Sequence, residues 1–205
     1  NGGQPDWRLR ISLADKANYF YKSQSPKDQG IMSPLFGSAT QNGVIFPYTP
    51  TVQVTHNASY QQQKFTHSNY TQYFYDSSEV QPITVTGEFT VQSIDDGQYL
   101  LAAIYFFRSM TKMFFGAKEN NGDAGNPPPI VYLDGYGDFY FPHVSCIVTS
   151  FQHSMPDGVD YVEIPQPTGA GTSLLSGATW ALAGGQNTVR LPTSSTLTIT
   201  VQPVY

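Results

Sequence analysis

The acidic residues of the chain include three close pairs, and paired carboxylates are what a glycoside hydrolase would need across its cleft. The pairs are Asp95 with Asp96, Asp134 with Asp138, and Asp157 with Asp160. The first pair lies where it can cap a helix and complement its dipole. The other two flank glycines, which is typical of turns. A structural role is therefore the better interpretation of each pair, and glycan hydrolysis is the weaker alternative.

Histidine and cysteine show no metal-binding spacing. The four histidines are His56, His67, His143 and His153, and none lies three or four residues from another or forms a known metal motif with a carboxylate. The single cysteine, Cys146, excludes an internal disulfide, and its alternating apolar surroundings indicate a buried small side chain. We expect no metal and no cofactor.

Other catalytic signatures are missing from the sequence. Gly135-Tyr136-Gly137 and Gly169-Ala170-Gly171 are too short for a nucleotide-binding loop, and there is no Gly-x-Ser-x-Gly elbow. With 15 acidic residues against 10 basic ones, no broad phosphate-binding field is expected. The sequence therefore predicts a protein that is not an enzyme.

Aromatic side chains crowd the segment from Tyr60 to Tyr75. They could stack on sugars or bases, but sparse basic residues argue against nucleic acid, and an aromatic hairpin packed on a neighbouring subunit is the favoured interpretation. Charged residues are only 12% of the chain and aromatics 14%, a composition typical of an interface or of an all-β protein. The interface candidates here are Tyr60, Phe65, Tyr70, Tyr73, Phe74 and Tyr75.

These residues must be positioned by strands, because apolar and polar residues alternate along several segments. Such alternation predicts antiparallel sheets with one buried face. The segments are 8–13, 50–56, 83–91, 144–148 and 196–201. The predicted fold is mainly β with one α-helix, in which two packed antiparallel sheets form a sandwich or barrel and one helix lies on the flank.

One helix is predicted from Asp95 to Phe115, with Gly116 as its stop. Its apolar residues lie nearly all round, so it must be covered on more than one side. Arg108 and Lys112, four residues apart, are predicted to mark its solvent-facing stripe.

Irregular insertions are expected at about 22–50, 117–129 and 165–189 within a single domain over 1–205. The last of them lacks charge, yet it contains Leu174, Leu175 and Trp180, which we include among the interface candidates because apolar residues are unnecessary in a flexible linker. No apolar stretch is long enough to span a bilayer, and no signal peptide is evident. We expect a soluble protein without a membrane partner.

Three stretches of the sequence resemble the baseplate tube-initiator and tube-adaptor proteins of contractile-tail phages (myophages). They are 106–116 (FFRSMTKMFFG), 127–133 (PPPIVYL) and 156–161 (PDGVDY). The order of strands around one helix also resembles the tail-tube fold of these phages and of related injection machines. The resemblance covers roughly residues 44–164 and the final strand.

This resemblance implies a virion structural protein, assembled in the host cytoplasm, that forms a ring of copies of itself, commonly six, beside other tail-tube or baseplate proteins. Strands of adjacent subunits would continue one another into a closed barrel, with DNA only as passing cargo. The lumen-facing candidates are Thr84, Thr86, Glu88 and Thr90, or else Thr196, Thr198 and Thr200. The alternative is that these residues form the solvent face of a sandwich.

Other functions remain open on the sequence alone. The chain could be the repeated major tail-tube subunit, or a non-enzymatic β-sandwich of the tail tip that binds a carbohydrate or a receptor. A secreted glycan-active enzyme is a further alternative. Ring assembly without ligand favours the first group, and sugar binding by a monomer or trimer favours the second.

Overall fold

The computed structural model describes residues 7–13, 30–35, 43–114, 124–165 and 188–204. These residues form mainly β structure with one α-helix, as predicted, and the strands associate in several antiparallel sheets. The strands are β1 (Arg10–Leu13), β2 (Gly43–Ile45), β3 (Thr51–Gln53), β4 (His56–Gln63), β5 (Gln72–Val80), β6 (Ile83–Thr90), β7 (Val131–Gly135), β8 (Phe141–Ser154), β9 (Tyr161–Pro165), β10 (Thr188–Pro192) and β11 (Ser194–Pro203). The helix α1 spans Ile94–Met110, and a 3-10 helix spans Gly30–Leu35.

Seven of the strands hydrogen-bond into one sheet, in the order β2-β1-β7-β8-β11-β6-β3. The C-terminal strand β11 is central, pairing with β6 on one side and with β8 on the other. Two antiparallel ribbons, β4-β5 and β9-β10, complete the strands. Strand β8 is 14 residues long; its first part pairs with β7 and its second part with β11.

The alternation predicted from the sequence matches the burial of the sheet. Along β6, Ile83, Val85 and Phe89 are buried, while the polar residues between them are at least partly exposed. The same holds for Leu197, Ile199 and Val201 of β11. One face of the sheet therefore supplies the core, and its other face is polar.

Helix α1 begins one residue earlier than the acidic pair suggested. Ser93 is the N-cap: its hydroxyl accepts from the amide of Asp96, and the Asp96 carboxylate accepts from the Ser93 amide. This reciprocal pairing satisfies two N–H groups that the helix itself leaves free. The prediction that the acidic pair belongs to the helix start is confirmed, although the cap residue is a serine.

The end of the helix differs from the prediction of Phe115 and Gly116. The last helical residue is Met110, and Thr111 leaves the helical conformation. The reason lies in the following residues, because the backbone of Phe114 pairs with residues 125 and 126 rather than with the preceding turn. A competing tertiary contact thus ends the helix.

The helix is covered on more than one side, as its apolar composition predicted. It packs against the 3-10 helix and against β8 and β9. The ring of Phe107 stacks on Phe151 of β8, with centroids 5.5 Å apart. Gly97 faces Ile164 of β9 so closely that a Cβ atom there would lie 2.5 Å from the Ile164 Cδ1 atom.

The stretches expected to be irregular are irregular only in part. The 3-10 helix and β2 both lie inside 22–50, and β10 begins at Thr188, inside 165–189. Those expectations are wrong at these positions, because β2 and β10 each find a strand partner that sequence periodicity does not reveal. Leu174, Leu175 and Trp180 lie outside the described residues.

Candidate functional site

The polar face of the sheet brings the two sets of proposed lumen residues together. In the register between β6 and β11, Thr84 lies opposite Thr200 and Thr86 opposite Thr198. The Thr86 and Thr198 hydroxyl oxygens are 3.3 Å apart. Strict alternation places these side chains opposite the core, so what the sequence presented as two alternatives is one continuous surface.

This surface extends onto β8 through residues that the sequence analysis did not select. Ser150, Gln152 and Ser154 lie opposite Thr200, Thr198 and Thr196 in the β8-β11 register. The signal was present in the sequence as polar residues alternating with Phe151 and His153. Cys146 and Val148 place the core face on even-numbered residues, but the bulge after Val148 moves the polar face to the even-numbered residues that follow. This change of face hides the period in the sequence.

The surface carries little charge. Across β3, β6, β11 and the paired half of β8, Glu88 is the one charged side chain on the polar face of these described strands. Its carboxylate accepts a hydrogen bond from the Ser194 hydroxyl at 3.1 Å. Such a face offers hydroxyl and amide groups to water and no cation to bind a phosphate. We call the set Thr84, Thr86, Glu88, Thr90, Thr196, Thr198 and Thr200 the threonine face.

The second feature is an antiparallel ribbon that projects beyond the sheet. Strands β3 and β4 follow one another almost without a break, as do β5 and β6, so the ribbon β4-β5 continues the outer pair of the sheet. At its base the Gln81 amide donates to the Thr55 carbonyl at 2.9 Å, and the Gln202 side-chain amide donates to the Val80 carbonyl at 3.1 Å. We call residues 56–80 the arm.

Nearly every residue of the arm is exposed, on both of its faces. The predicted hairpin is therefore present, and all six aromatic interface candidates of this segment lie on it. Tyr60 lies opposite Tyr75, and their rings meet edge to face with centroids 5.8 Å apart. Tyr73 shares that face of the arm, whereas Phe74 lies opposite Gln61 on the other face. Phe65 and Tyr70 lie in the turn region between β4 and β5, with Tyr70 82% exposed.

A third cluster lies at the far side of the sheet. Asp134 accepts from the Arg10 guanidinium at 3.1 Å and lies 3.0 Å from the Nδ1 atom of His143. The His143 ring stacks on Tyr132, with centroids 3.8 Å apart, and its backbone has a positive φ of 56°. This carboxylate–histidine pair has the orientation of a general base, but His143 lies on the exposed surface rather than in a cleft. The arrangement holds β1, β7 and β8 together.

The remaining carboxylates take the turn positions that the sequence predicted. Gly137 and Gly158 have positive φ angles of 91° and 76°, and Asp138 and Asp157 beside them are exposed. The Asp134 carboxylate contacts other strands through its side chain, and the Asp160 backbone carbonyl accepts from the Thr193 amide. The part of the chain that the structure describes contains no group of three or more His, Cys, Asp or Glu residues placed to hold a metal ion.

Two titratable groups of β8 have shifted pKa values: Cys146, which is buried in the core, and His153, which is half-buried. Burial raises the pKa of the Cys146 thiol to about 11, and the side chain is fully buried as the sequence predicted. Burial and the nearby Arg108 charge lower the pKa of His153. Both effects favour the neutral side chains, which suits a packing role.

No family model and no curated protein matches the sequence. Within the described residues, no helix has the length and apolar character required to cross a membrane.

Proposed function

We propose that this protein is a structural subunit of a contractile phage tail, which assembles as a ring of six copies in the baseplate or tail-tube region and forms part of the DNA conduit. It acts through its surfaces and catalyses no reaction. Its partners are copies of itself and the neighbouring tail-tube or baseplate proteins, and its location is the virion.

The observation that carries the proposal is the arm. Strands of eight and nine residues, at about 3.3 Å per residue, project roughly 27 Å from the sheet. An isolated two-stranded ribbon is marginally stable in water at best, because it has no hydrophobic face to bury. Exposed tyrosine rings on such a ribbon are suited to packing against another protein surface. A second copy supplies that surface in a ring.

The folding of the sheet supports the sandwich or barrel part of the proposal. Only six Cα steps join Ile45 of β2 to Thr51 of β3, which reach at most about 21 Å. The two edges of a flat seven-stranded sheet would be about 29 Å apart. The sheet must therefore curl, and Phe46 reaches from the β2 side to Phe89 of β6, with ring centroids 5.7 Å apart.

The long strand β8 supplies the corner of this curled sheet. Its residues 141–146 pair with β7 and its residues 146–154 pair with β11, and a register shift lies within the β11 pairing, between Thr200 and Val201. A bulge increases the bend of a strand, which is how one strand passes between two packed layers. The two layers of the proposed sandwich are then β2-β1-β7 and β11-β6-β3, joined through β8.

The threonine face suits the wall of a DNA conduit. Hydroxyl groups keep such a wall wetted, and the absence of cations on these described strands avoids the phosphate contacts that would hold DNA in place. The net charge of −5 likewise gives the protein no overall attraction for DNA, which is also negatively charged. On this proposal, the threonine face points to the lumen and the arm reaches the next subunit.

The test is the mass and symmetry of purified assemblies. We expect the wild-type chain to form closed rings, seen by native mass spectrometry and negative-stain microscopy. A triple variant with Tyr60→Ser, Tyr73→Ser and Tyr75→Ser removes the three tyrosine side chains from one face of the arm. We expect its half-assembly concentration to rise by at least about tenfold, because a lost interface anchor commonly costs more than about 1.4 kcal/mol.

The matched control is Tyr105→Ser with Tyr161→Ser, two exposed tyrosines away from the arm, which should assemble like the wild type. Open-ended tubes of the wild-type chain would instead identify the repeated major tail-tube subunit. A monomer that binds glycans through the same arm tyrosines would identify a carbohydrate-binding protein of the tail tip. Either of these results would overturn the ring proposal.

A further inference from the structure

The β2 edge of the sheet is closed by a side chain. The Phe46 amide donates to the Leu9 carbonyl, so Arg10 and Ile45 form a non-hydrogen-bonded pair in the β1-β2 register. The backbone N–H and C=O of Ile45 therefore point away from β1, toward the place where another strand could add. Both groups are taken by one hydroxyl, that of Tyr99.

Tyr99 occupies this position from helix α1. Its Oη atom accepts from the Ile45 amide at 2.8 Å and donates to the Ile45 carbonyl at 2.9 Å. The side chain thus reproduces the donor and the acceptor that a neighbouring strand would present. Burial raises the pKa of Tyr99 to about 12, so the hydroxyl keeps the proton that it donates.

Within the described residues, long strand edges remain on the arm and on the strand that leads into it. Residues 51–53 pair with β6 on one side only, and residues 56–63 pair with β5 on one side only. On the outer side of β5, the Gln202 side chain covers the Val80 carbonyl at the base of the arm. The described chain thus leaves long outer edges along 51–63 and 72–79, where a strand of another chain can pair.

We propose that Tyr99 is an edge lock, which keeps a second copy of this chain from pairing with β2 and so directs strand pairing between copies to the long edges along 51–63 and 72–79. The inference rests on the proposed function, since it names the edges through which copies join. Pairing between these two different edges makes the contact head-to-tail, as a closed ring requires.

The test is Tyr99→Phe, which removes the hydroxyl and keeps the ring. We expect the Ile45 amide to exchange its hydrogen at least about tenfold faster, measured on the monomer at low concentration. At higher concentration we expect additional species, heavier than those of the wild type, in which the Ile45 amide is protected again. That renewed protection identifies β2 as the new contact.

Two controls separate the lock from general effects. Tyr105→Phe alters an exposed tyrosine on the same helix and should change neither exchange nor mass. Ile199→Val weakens the core away from any edge, since Ile199 is fully buried in β11. If Ile199→Val produces the same additional species, or if Tyr99→Phe produces none, the lock is wrong.

The outcome is distinct from that of the ring proposal. A wild-type chain that stays monomeric would overturn the ring, whereas association gained only by Tyr99→Phe would still establish the lock. A wild-type ring that Tyr99→Phe leaves unchanged in mass would overturn the lock and leave the ring standing.

Discussion

Among single residues, Gly87 of β6 shows how closely the segment after β2 packs on the sheet. A Cβ atom at this position would lie 2.4 Å from Cδ1 of the Phe46 ring, and Phe46 is fully buried. We predict that Gly87→Ala lowers the free energy of unfolding by about 1–3 kcal/mol, because the buried ring has little room to shift. Urea unfolding measures the change.

The control is the same substitution in a Phe46→Leu background. The smaller side chain removes the ring carbons that the new methyl group would meet, so Gly87→Ala should cost less there, by about 0.5 kcal/mol or more. Equal costs in both backgrounds would contradict the contact as the cause.

Cys146 predicts a loss of stability in alkali. Its thiol pKa is raised from 9.0 to about 11, so the folded chain holds the proton to higher pH than the unfolded chain does. The thiol's contribution to the free energy of unfolding is fully present below about pH 9. It is lost as the pH rises toward 11, by up to about 2–3 kcal/mol. We expect Cys146→Ala to lack this part of the decline in urea unfolding measured across that range.

Tyrosine ionisation also lowers stability at high pH, so Cys146→Ala must be compared with a variant changed at a residue that does not ionise. Val148→Ala removes apolar volume from the same strand and leaves the thiol in place, so it should keep the full decline. The interpretation fails if Cys146→Ala declines as steeply as Val148→Ala.

Residue burial was predictable where it followed alternation, and specific contacts were not. Cys146 stands in an apolar run, and that pattern is enough to predict its burial. Tyr99 is one tyrosine in an apolar helix, and nothing in the sequence indicates that its hydroxyl would meet Ile45, 54 positions away. Contacts of this kind depend on how the elements pack.

Among the elements, α1 depends on its N-terminal cap. The Ser93 hydroxyl accepts from the Asp96 amide at 3.2 Å. We predict that Ser93→Ala lowers the free energy of unfolding by about 1 kcal/mol, because the first turn loses an acceptor for its free amide. Thermal and urea unfolding both report the change.

The matched control lies on the same helix. The Ser109 hydroxyl donates to the Tyr105 carbonyl, a bond within the helix that supplies no missing acceptor. Ser109→Ala should therefore be close to neutral. A loss at Ser109 as large as that at Ser93 would exclude the cap as the source.

Strands were predicted better than element ends. Period-two alternation depends on one buried face, which β6 and β11 both have. The arm lacks a buried face, so its hairpin was inferred from aromatic composition instead. The end of α1 depends on the pairing of Phe114 with residues 125 and 126, which local sequence cannot report.

At the scale of the whole molecule, the class of fold was predictable and the strand order was not. Alternation states which residues of a strand are buried, but it says nothing about which strands are neighbours. The placement of β11 between β6 and β8 is what joins Thr84, Thr86, Thr198 and Thr200 into one surface. The sequence could offer those threonines only as separate alternatives.

The central position of β11 also sets the order of events during synthesis. Strands β6 and β8 lack their shared partner until β11 has left the ribosome, and long-range pairing of this kind is slow to form. Gln202, which holds the base of the arm, lies near the end of that same strand. A growing chain therefore lacks the Gln202 contact at the base of the arm until β11 has been made. On the ring proposal, nascent neighbours on one messenger would then join through a completed arm only after each has folded.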